Sequence, residues 1–520
     1  MPKVVIDPIT RIEGHLRITC LVENGKVTDA WNTATLFRGF EIFMKGRDPK
    51  SIWQFAQRIC GVCPTPHAFN SVRAVETAAG MDKMTDSARL VRNMMEACQL
   101  GYDHILWFYQ LNGFDYVNVP DSLNAKPATP GLKAVQDQVK AVVDSGQLGP
   151  FANMYWDHPG YKLPPELNLE VTAHYLQALE VQQLANDAAT MLGGRFPMIH
   201  NYVPGGVTQM PGIETIEFYK SNMAQVKNFI DTVMVPDLRA VAPYYLDLAT
   251  YGKGVGNFLT WGVLDEASQD PYDRVFPRGG IFDGKLEVQK VDPDQTRHYT
   301  KTSYYGDDVG AGKHPLDVGQ EPVQFTQLPP LEGGKLPEGK YDWTQATRYG
   351  TENRPMEVGP LAQMLVAYLS GRQEAKQLVD STLAAVGHAG DPAVLISNLG
   401  RLAARVLKAK INADNALRWA DDLLANIGKG DTQVYQELDF SKDGTGKGGW
   451  DAPRGALCHY VKIKDAKVDT YAAVPPSNWN LSPRDDSGKR GPVEEALVGT
   501  PVEDPAKPLE ILRTVHTFDP

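Results

Sequence analysis

The sequence is poor in cysteine, in long apolar runs and in clustered positive charge, and each shortage excludes a class of protein. Its five cysteines are odd in number and mostly far apart, which is a poor basis for a disulfide framework. No apolar run reaches the roughly 20 residues that cross a bilayer. The net charge is −11 and no stretch is dense in Lys or Arg, which argues against a nucleic-acid-binding protein.

The N-terminal residues also lack the charged and then apolar pattern of a secretory signal segment. We therefore expect any export or membrane attachment to be supplied by a partner. The 520 residues are 42% hydrophobic and 22% charged, which is the composition of a globular protein with ample material for a buried core.

The first 50 residues predict β structure. Leu16–Glu23 and residues 26–35 flank Asn24-Gly25, a hairpin turn in which both positions tolerate positive φ. Residues 51–59 predict a short helix that leads into a pair of cysteines. Near the C-terminus, 457–463 and 468–474 predict a second hairpin around a polar turn.

Helical periodicity dominates much of the chain between these hairpins. Apolar residues recur every three or four positions in four segments, as on the buried face of an amphipathic helix. They are Val91, Met94, Cys98, Ile105 and Phe108; Leu169, Ala173, Leu176 and Leu179; Ile216, Tyr219, Met223, Val226, Ile230 and Val233; and Leu395, Leu399, Leu402, Val406 and Ala409. Long helices with such faces predict a bundle core.

We therefore predict an α+β fold, mainly α, with a long-helix bundle core, N-terminal and C-terminal β-hairpins and a loop-rich excursion. All of 1–520 is expected to form a single domain. Its parts are a β-rich region at 1–50, a helical core at 51–250, a loop-and-strand excursion on the surface at 251–355, more helical core at 356–430, and a β-rich end with a site-closing tail at 431–520.

Cys60 and Cys63 are the one pair of cysteines that lie close together in the sequence. Gly61 permits a tight turn between them, so that both sulfurs can face one metal ion, and thiolates select soft or borderline metals. The pair alone fits half of a zinc site, a thioredoxin-like redox pair or a catalytic transition-metal site. No second pair completes a zinc site, and no small βαβ setting supports a thioredoxin-like motif.

The pair belongs to a series of motifs that runs along the whole chain. They are Asp7-Pro8-Ile9-Thr10-Arg11-Ile12-Glu13-Gly14-His15, Phe37-Arg38-Gly39-Phe40-Glu41, Arg58-Ile59-Cys60-Gly61-Val62-Cys63, Ala452-Pro453-Arg454-Gly455-Ala456-Leu457, Pro476-Ser477-Asn478-Trp479-Asn480 with Pro483-Arg484-Asp485, and Phe518-Asp519-Pro520. In this order they resemble the motifs of nickel–iron hydrogenase large subunits. Any one motif can arise by chance, but the whole ordered series is not expected to.

The resemblance implies an enzyme that cleaves H₂ reversibly and heterolytically into protons and electrons. In the family, four cysteine thiolates hold nickel, and two of them bridge to an iron that carries carbon monoxide and cyanide. By resemblance Cys60 is a terminal nickel ligand and Cys63 a bridging one. A thiolate is a first proton acceptor, and Glu13 would then carry the proton away. Without the motif, Glu13 would be a surface or salt-bridge residue.

Arg454 would reach over the metals by the same resemblance, because a permanently charged guanidinium suits an anion such as cyanide. Asp103 and Asp519 match the family's acidic residues that orient this arginine. The alternatives are a surface ion pair between Arg454 and Asp451, and a capping or bracing role for Asp103 in its helix.

Further site residues follow from the resemblance. Ser477, beside Pro476, would donate to a cyanide nitrogen. His67 suits a hydrogen bond to a metal-bound sulfur, although alone it would be an ordinary polar residue. Glu41 and the backbone carbonyl near Ala473 match ligands of a structural magnesium ion; a plain surface role is the alternative for Glu41.

The other cysteines, Cys20, Cys98 and Cys458, match no ligand position, and Cys98 is expected in the core. The family's pattern continues after Asp-Pro with Cys, two residues, Cys and a nearby His, whereas this sequence ends at Asp519-Pro520. Three explanations are open: a sequence that stops early, an inactive or apo form, and a selenocysteine, whose codon is also a stop codon. The last would make the protein a nickel–iron–selenium hydrogenase.

The resemblance also implies partners and a location. Since this chain has no cysteine set for an iron–sulfur cluster, electrons are expected to leave through an obligate small subunit that carries such clusters. Maturation proteins would insert the metals. The N-terminal motifs are similar to those of respiratory uptake enzymes, which implies a periplasmic location with membrane attachment through the partner; the alternative is cytoplasmic. The rival functions are a metal-free scaffold similar to the quinone-site subunit of respiratory complex I, and a zinc-binding structural protein.

Overall fold

A computed structural model describes residues 3–151, 154–306, 309–318 and 336–520. Its helices are α1 (Phe40–Met44), α2 (Ile52–Ala56), α3 (Pro64–Ala78), α4 (Asp86–Leu106), α5 (Pro130–Ser145), α6 (Pro165–Gly193), α7 (Ile213–Phe229), α8 (Val235–Val241), α9 (Pro360–Leu369), α10 (Gln373–Ala385), α11 (Asn398–Gly428), α12 (Pro476–Asn480), α13 (Pro492–Leu497) and α14 (Leu509–Thr517). None of the helices in these ranges has both the length and the apolarity of a membrane span.

The strands form several small sheets. They are β1 (Lys3–Ile6), β2 (Leu16–Glu23), β3 (Lys26–Ala34), β4 (Tyr202–Val203), β5 (Gly206–Val207), β6 (Phe258–Thr260), β7 (Gly279–Phe282), β8 (Lys285–Gln289), β9 (Thr296–Tyr299), β10 (Ala311–Lys313), β11 (Ala346–Tyr349), β12 (Glu357–Val358), β13 (Gly444–Ala452), β14 (Gly455–Lys464) and β15 (Lys467–Val474). The strand orders are β1-β2-β3, β4-β5, β10-β9-β11, β12-β6-β7-β8 and β13-β14-β15, and β12 runs parallel to β6.

Both predicted hairpins are confirmed, and each gains a third strand. Asn24 and Gly25 connect β2 to β3 with φ values of 52° and 71°, as the turn requires. The C-terminal pair, β14 and β15, is joined by β13, whose glycine-rich sequence gives no strong strand signal.

Helices α4, α6, α7 and α11 form the predicted bundle around the largest apolar cluster of the described residues. The predicted face of α6 is wrong in part, because Leu176 and Leu179 are 36% and 47% exposed. The helix instead buries a face rich in small residues, with Ala178, Ala185, Ala188 and Ala189 in the cluster. Leu395 lies in a short turn before α11, whose first turn is capped by the Ser397 hydroxyl accepting from the Gly400 N–H at 3.1 Å.

Strand β13 fixes the position of the helix that follows the cysteine pair. Gly444, Gly446 and Gly448 alternate along the strand and so face the same way, toward α3. A Cβ atom at these positions would lie 2.0, 2.0 and 2.2 Å from backbone oxygens of α3. Only glycine permits this approach, and α3 begins at the residue after Cys63.

Within residues 251–355, the parts at 251–306, 309–318 and 336–355 contain short strands and turns, as predicted, but their placement on the surface is wrong in part. The other residues of this segment lie outside the described ranges. Strand β6 and Trp261 are fully buried, and β6 is hydrogen-bonded on both sides, to β7 and β12. The density of Gly, Pro and Asp therefore marks tight turns here rather than solvent exposure.

The end of the chain is also more helical than predicted, because α12, α13 and α14 follow the last sheet. Both ring nitrogens of His516 in α14 face acceptors: Nδ1 lies 2.6 Å from a carboxylate oxygen of Asp115, and Nε2 lies 2.9 Å from the Thr10 carbonyl. Arg11 donates to the other Asp115 oxygen at 2.6 Å. This cluster ties the first and last segments of the chain together and so positions Asp519.

Candidate metal centre

Cys60 and Cys63 lie in the turn before α3, and their side chains are buried. The Cys63 backbone N–H donates to the Cys60 sulfur at 3.2 Å. A hydrogen bond from the Cys63 thiol lowers the pKa of Cys60 against the effect of burial, and nearby Arg454 lowers it further. The same thiol–thiol bond and burial raise the pKa of Cys63. The arrangement stabilises one thiolate, the form of cysteine that binds metals.

Arg454 lies in the turn between β13 and β14 and is 4% exposed. Its guanidinium donates to Asp103 at 3.4 Å and lies 2.9 Å from Asp519. Burial would lower the pKa of Arg454, but Asp519, Asp103 and the two thiols raise it well above its ordinary value. The alternative of a surface pair with Asp451 is wrong, because that carboxylate is buried and accepts from the Trp261 N–H at 2.9 Å.

The second oxygen of Asp519 lies 2.8 Å from Arg405, which sequence reasoning missed. The Arg405 guanidinium also stacks over the Trp107 ring, 4.3 Å from its centroid. The available signal is the spacing of Arg401, Arg405 and Lys408, which puts three cations on one face of α11. All three are buried.

Asp103 is the acidic residue of this cluster that is best placed to exchange a proton. Burial raises its pKa to about 6, with Arg454 lowering it and Asp519 raising it. One of its oxygens, Oδ1, has no hydrogen-bond partner within the part of the chain that the structure describes. The carboxyl therefore changes protonation near neutral pH.

His67 is part of a buried hydrogen-bonded chain that the sequence did not indicate. Its Nδ1 lies 3.0 Å from Nε2 of His459, whose Nδ1 bonds the Tyr471 hydroxyl. Burial, with a contribution from Arg454, lowers the pKa of His67 to about 3, so the ring is neutral. When the tyrosine donates, His67 carries its proton on Nε2, the tautomer that can donate to a sulfur. That bond to sulfur stays a prediction.

Glu13 lies against the cysteine turn. Its Oε1 accepts from the Gly61 N–H at 3.2 Å, and its charge raises the pKa of Cys60. Its own N–H donates to the Pro520 carbonyl at 3.3 Å. The residue is half-buried, so it lies between the thiols and the surface of the chain.

Glu41 lines a cavity of about 120 Å³ together with Tyr305, His298 and Ala473. Burial raises the pKa of the Glu41 carboxyl, while hydrogen bonds from its own backbone and from the Ala473 N–H oppose the rise. An acidic oxygen beside a polar cavity is a suitable environment for a hydrated divalent cation.

Pro476 and Ser477 begin α12, the first buried and the second half-buried. Cys20, Cys98 and Cys458 are all buried, and the Cys98 sulfur lies 3.9 Å from that of Met223. Within the described ranges, no group of three or more His, Cys, Asp and Glu residues is arranged to hold a metal. A four-ligand zinc site is therefore not present in that part of the chain.

Comparison with known proteins supports the resemblance over the whole chain. The profile of the nickel-dependent hydrogenase family matches residues 38–520, and a HoxL-like profile matches residues 3–33. The chain is 38% identical to the hydrogenase-2 large chain of Escherichia coli strain K12, over 100% of this chain and 96% of that protein. It is also 38% identical to the uptake hydrogenase large subunit of Rhizobium leguminosarum bv. viciae, over 100% of this chain and 94% of that protein.

Comparison with solved structures also supports the resemblance to hydrogenases. The Ni-Fe-Se hydrogenase of Desulfovibrio vulgaris Hildenborough superposes with a TM-score of 0.83 at 31% identity, covering 100% of this chain and 98% of that one. The enzyme from Desulfomicrobium baculatum gives 0.81 at 31% identity, covering 100% and 99%. With the matched profile spanning most of the sequence, the chain belongs to the nickel-dependent hydrogenase family.

Proposed function

We propose that this chain is the catalytic large subunit of a nickel–iron hydrogenase, which cleaves H₂ reversibly into protons and electrons. The observation that carries the proposal is a buried thiol pair, Cys60 and Cys63, beside a charged arginine with two acidic partners. Family membership and relatives named as hydrogenase large chains support it. The metal-free scaffold similar to complex I finds no support among these relatives.

The residues present fit one side of a nickel–iron centre. Sulfur donors suit nickel and iron, and the two thiols are close enough to share a hydrogen bond. When bound, the centre supplies the redox chemistry and polarises H₂. Cys60 would be a terminal ligand and Cys63 a bridge to an iron bearing carbon monoxide and cyanide. Arg454 and Ser477, which follows Pro476 at the start of α12, would donate to those cyanide ligands.

Glu13 would move the proton. A thiol sulfur of the pair holds the proton first, and the Glu13 carboxylate accepts it because the Gly61 N–H anchors that carboxylate against the cysteine turn. The half-buried position of Glu13 then leads the proton outward.

Arg454, Asp103 and Asp519 would orient the site and exclude water. The two carboxylates hold the guanidinium in one position, so its donors stay aimed at the anionic ligands. His67 would donate from Nε2 to a cysteine sulfur, held in place by its bond to His459.

Glu41, with the backbone near Ala473, would hold a magnesium ion in the adjacent cavity. The cavity volume of about 120 Å³ leaves space for the water ligands that magnesium retains.

Electrons would leave through an iron–sulfur small subunit in an obligate heterodimer, with maturation proteins supplying the metals. The uptake hydrogenase relatives support a periplasmic enzyme that reaches the membrane through its partner.

Metal analysis of the matured protein tests the proposal. We expect nickel together with a larger amount of iron, because the clusters of the small subunit add to the iron of the centre, and infrared bands of iron-bound carbon monoxide and cyanide. Cys60→Ser and Cys63→Ser should each lose nickel, because each removes a thiolate ligand. Cys98→Ala, which alters a buried cysteine outside the site, should retain it. Fully matured protein that contains zinc or no metal would refute the proposal.

Glu13→Gln tests the proton path. The amide keeps the shape and the bond from Gly61 but cannot take up a proton, so H/D exchange should fall by roughly 100-fold or more. Nickel and iron should stay bound. Glu23→Gln, on the exposed end of β2, is the control. Wild-type exchange in Glu13→Gln would remove Glu13 from the path.

A further inference from the structure

Two buried ionisable side chains lie where α4 and α11 are joined: Asn412 donates to the Ala97 carbonyl at 3.0 Å, and Arg405 lies 3.4 Å from His104. Glu96 projects from α4 and Lys408 from α11, and both are 0% exposed. Their charges act on each other, since each influences the other's pKa. Yet neither Glu96 oxygen nor the Lys408 Nζ has a hydrogen-bond partner within the described part of the chain.

More unpaired polar atoms surround this pair. The Trp450 indole N–H favours the ionised form of Glu96 but does not reach hydrogen-bond geometry. Near Lys408, the Nε2 of His104 and the Oδ1 of Asp103 are likewise buried and unpaired. An unpaired buried polar atom is unfavourable, because it gives up its hydrogen bonds to water without replacing them. A cluster of such atoms is therefore the place where internal water molecules bind, each satisfying two to four partners.

The cluster continues into the candidate metal centre. Asp103 lies two helical turns after Glu96 on α4 and interacts with both groups of residues. Its negative charge raises the pKa of Lys408, and its carboxylate accepts a hydrogen bond from Arg454 at 3.4 Å. The other charged groups that face Lys408 are Arg405 and Asp451. Asp451 is already hydrogen-bonded by the Trp261 N–H, which leaves Asp103 and Glu96 as the carboxyls with unpaired oxygens.

We propose that Glu96 and Lys408 form a buried proton-accepting site, joined to Asp103 by internal water, that takes up one proton from the metal centre during H₂ cleavage. This inference rests on the proposed function for the source of the proton. The chemistry of the pair itself does not.

The transfer involves protons alone. A protonated Asp103 carboxyl gives its proton through water to the neutral Lys408 amine, which leaves a carboxylate and an ammonium. Where Glu96 is ionised, the ammonium then passes the proton to that carboxylate, which leaves a neutral amine and a carboxylic acid; where Glu96 is already protonated, Lys408 keeps the proton. Burial raises the pKa of Glu96 to about 8 and lowers that of Lys408 to about 7. Because these pKa values are similar, proton transfer between the two groups costs little free energy.

Such a site would provide a second acceptor for protons in addition to Glu13. Each H₂ yields two protons, whereas Glu13, held against the cysteine turn by the Gly61 N–H, accepts one proton at a time. Proton storage at Glu96 and Lys408 would let a second proton leave the centre before Glu13 is free again.

Infrared difference spectroscopy tests the inference on the whole purified enzyme. A protonated carboxyl gives a C=O stretch that shifts between H₂O and D₂O. At pH 7 we expect such a band in the wild type and its loss in Glu96→Gln, an isosteric change. Addition of H₂ at about pH 8, where about half of Glu96 is ionised, should strengthen the band in the wild type, and this change should be absent in Glu96→Gln.

Lys408→Met is the second variant, and Lys410→Met is its matched control. Lys410 lies on the same helix but is part of a surface ion pair with Asp414 at 2.6 Å. Removal of the Lys408 cation should retain the Glu96 band to higher pH, because that cation lowers the Glu96 pKa. Lys410→Met should leave the band unchanged.

A wild-type spectrum unaltered by Glu96→Gln would overturn the inference, because Glu96 would then hold no proton. A band that is present but unaffected by H₂ would overturn the link to turnover. Both results are distinct from failure of the proposed function, in which the enzyme contains no nickel while the Glu96 band is still present.

Discussion

Two buried glutamates, one on α3 and one on α4, differ in their hydrogen bonding and in the direction of their pKa shifts. Glu76 of α3 pairs with Arg92, whose Nη1 and Nη2 donate to its two oxygens at 3.2 and 2.7 Å, and the Gly205 N–H adds a bond at 2.9 Å. One turn further along α4, neither oxygen of Glu96 has a hydrogen-bond partner among the residues that the structure describes. Each glutamate is 0% exposed.

The two carboxyls hold protons very differently as a result. Burial raises the pKa of Glu76, but Arg92 and Arg73 outweigh burial and lower it below its ordinary value. Burial raises the pKa of Glu96 to about 8, against a weaker opposing effect of Lys408. A saturated set of hydrogen bonds fixes a charge for structure, whereas an unsaturated one leaves a proton that can move.

The largest loss of folded protein is expected from Gly446→Ala, which disrupts the packing of β13 against α3, the helix that carries Glu76. A Cβ there would lie 2.0 Å from the Ala74 oxygen and 2.4 Å from the Ala78 nitrogen, so α3 must move away from β13. That displacement separates Glu76 from Arg92 and shifts Cys63. We expect loss of soluble, nickel-containing protein, measured by yield and metal content.

Gly428→Ala is the control for that change, since a Cβ at this helical position meets nothing within 4 Å. Alanine there should be neutral or stabilising by up to about 1 kcal/mol. Equal yields of the two variants would show that β13 does not constrain α3.

The direct comparison is Glu76→Gln against Glu96→Gln. Breaking a buried ion pair by removing one partner costs about 3–5 kcal/mol, because Arg92 keeps an uncompensated charge. Glu96→Gln removes a carboxyl that makes no hydrogen bond to the described residues, and it should cost less than about 1 kcal/mol. Thermal denaturation of both variants beside the wild type measures the difference. A similar loss in both would mean that Glu96 is held as firmly as Glu76.

The sequence predicted the parts of this picture that rest on local pattern or on motifs. The hairpin at Asn24-Gly25 follows from turn chemistry, and Cys60 and Arg454 follow from motif order. The sequence does show that Arg405 and Lys408 share one face of α11. It does not show that this face is buried, because a charged face of an amphipathic helix normally contacts solvent. A helix at the centre of a bundle buries both faces, which a single helix cannot reveal.

Contacts between residues far apart in the sequence could not be predicted for a related reason. Alternate glycines at 444, 446 and 448 indicate that some backbone approaches closely, but not that the backbone belongs to α3. His459 meets His67 because β14 packs against α3, and Tyr471 of β15 bonds His459, so no spacing along the chain identifies this hydrogen-bonded chain.

The smallest effect, and the sharpest contrast, is expected in the pH dependence of stability. The folded state binds the Glu96 proton more tightly than the unfolded chain does, so this contribution is complete below pH 4.5 and is lost as pH rises toward about 8. Glu76 acts in the opposite sense: its contribution is present above pH 4.5 and is lost as pH falls below that value.

Lys408 complicates the upper part of this range, because burial lowers its pKa from 10.5 to about 7 and its contribution is lost as pH falls toward 7. Between about pH 5 and 7 the lysine is charged in both states, and the Glu96 effect is isolated. There the wild type should lose up to about 1.4 kcal/mol per pH unit relative to Glu96→Gln, while Glu76→Gln should keep the wild-type slope. Denaturation midpoints across this range measure both. Parallel curves for the wild type and Glu96→Gln would mean that the carboxyl is already ionised, and the contrast between the two glutamates would then be one of hydrogen bonding alone.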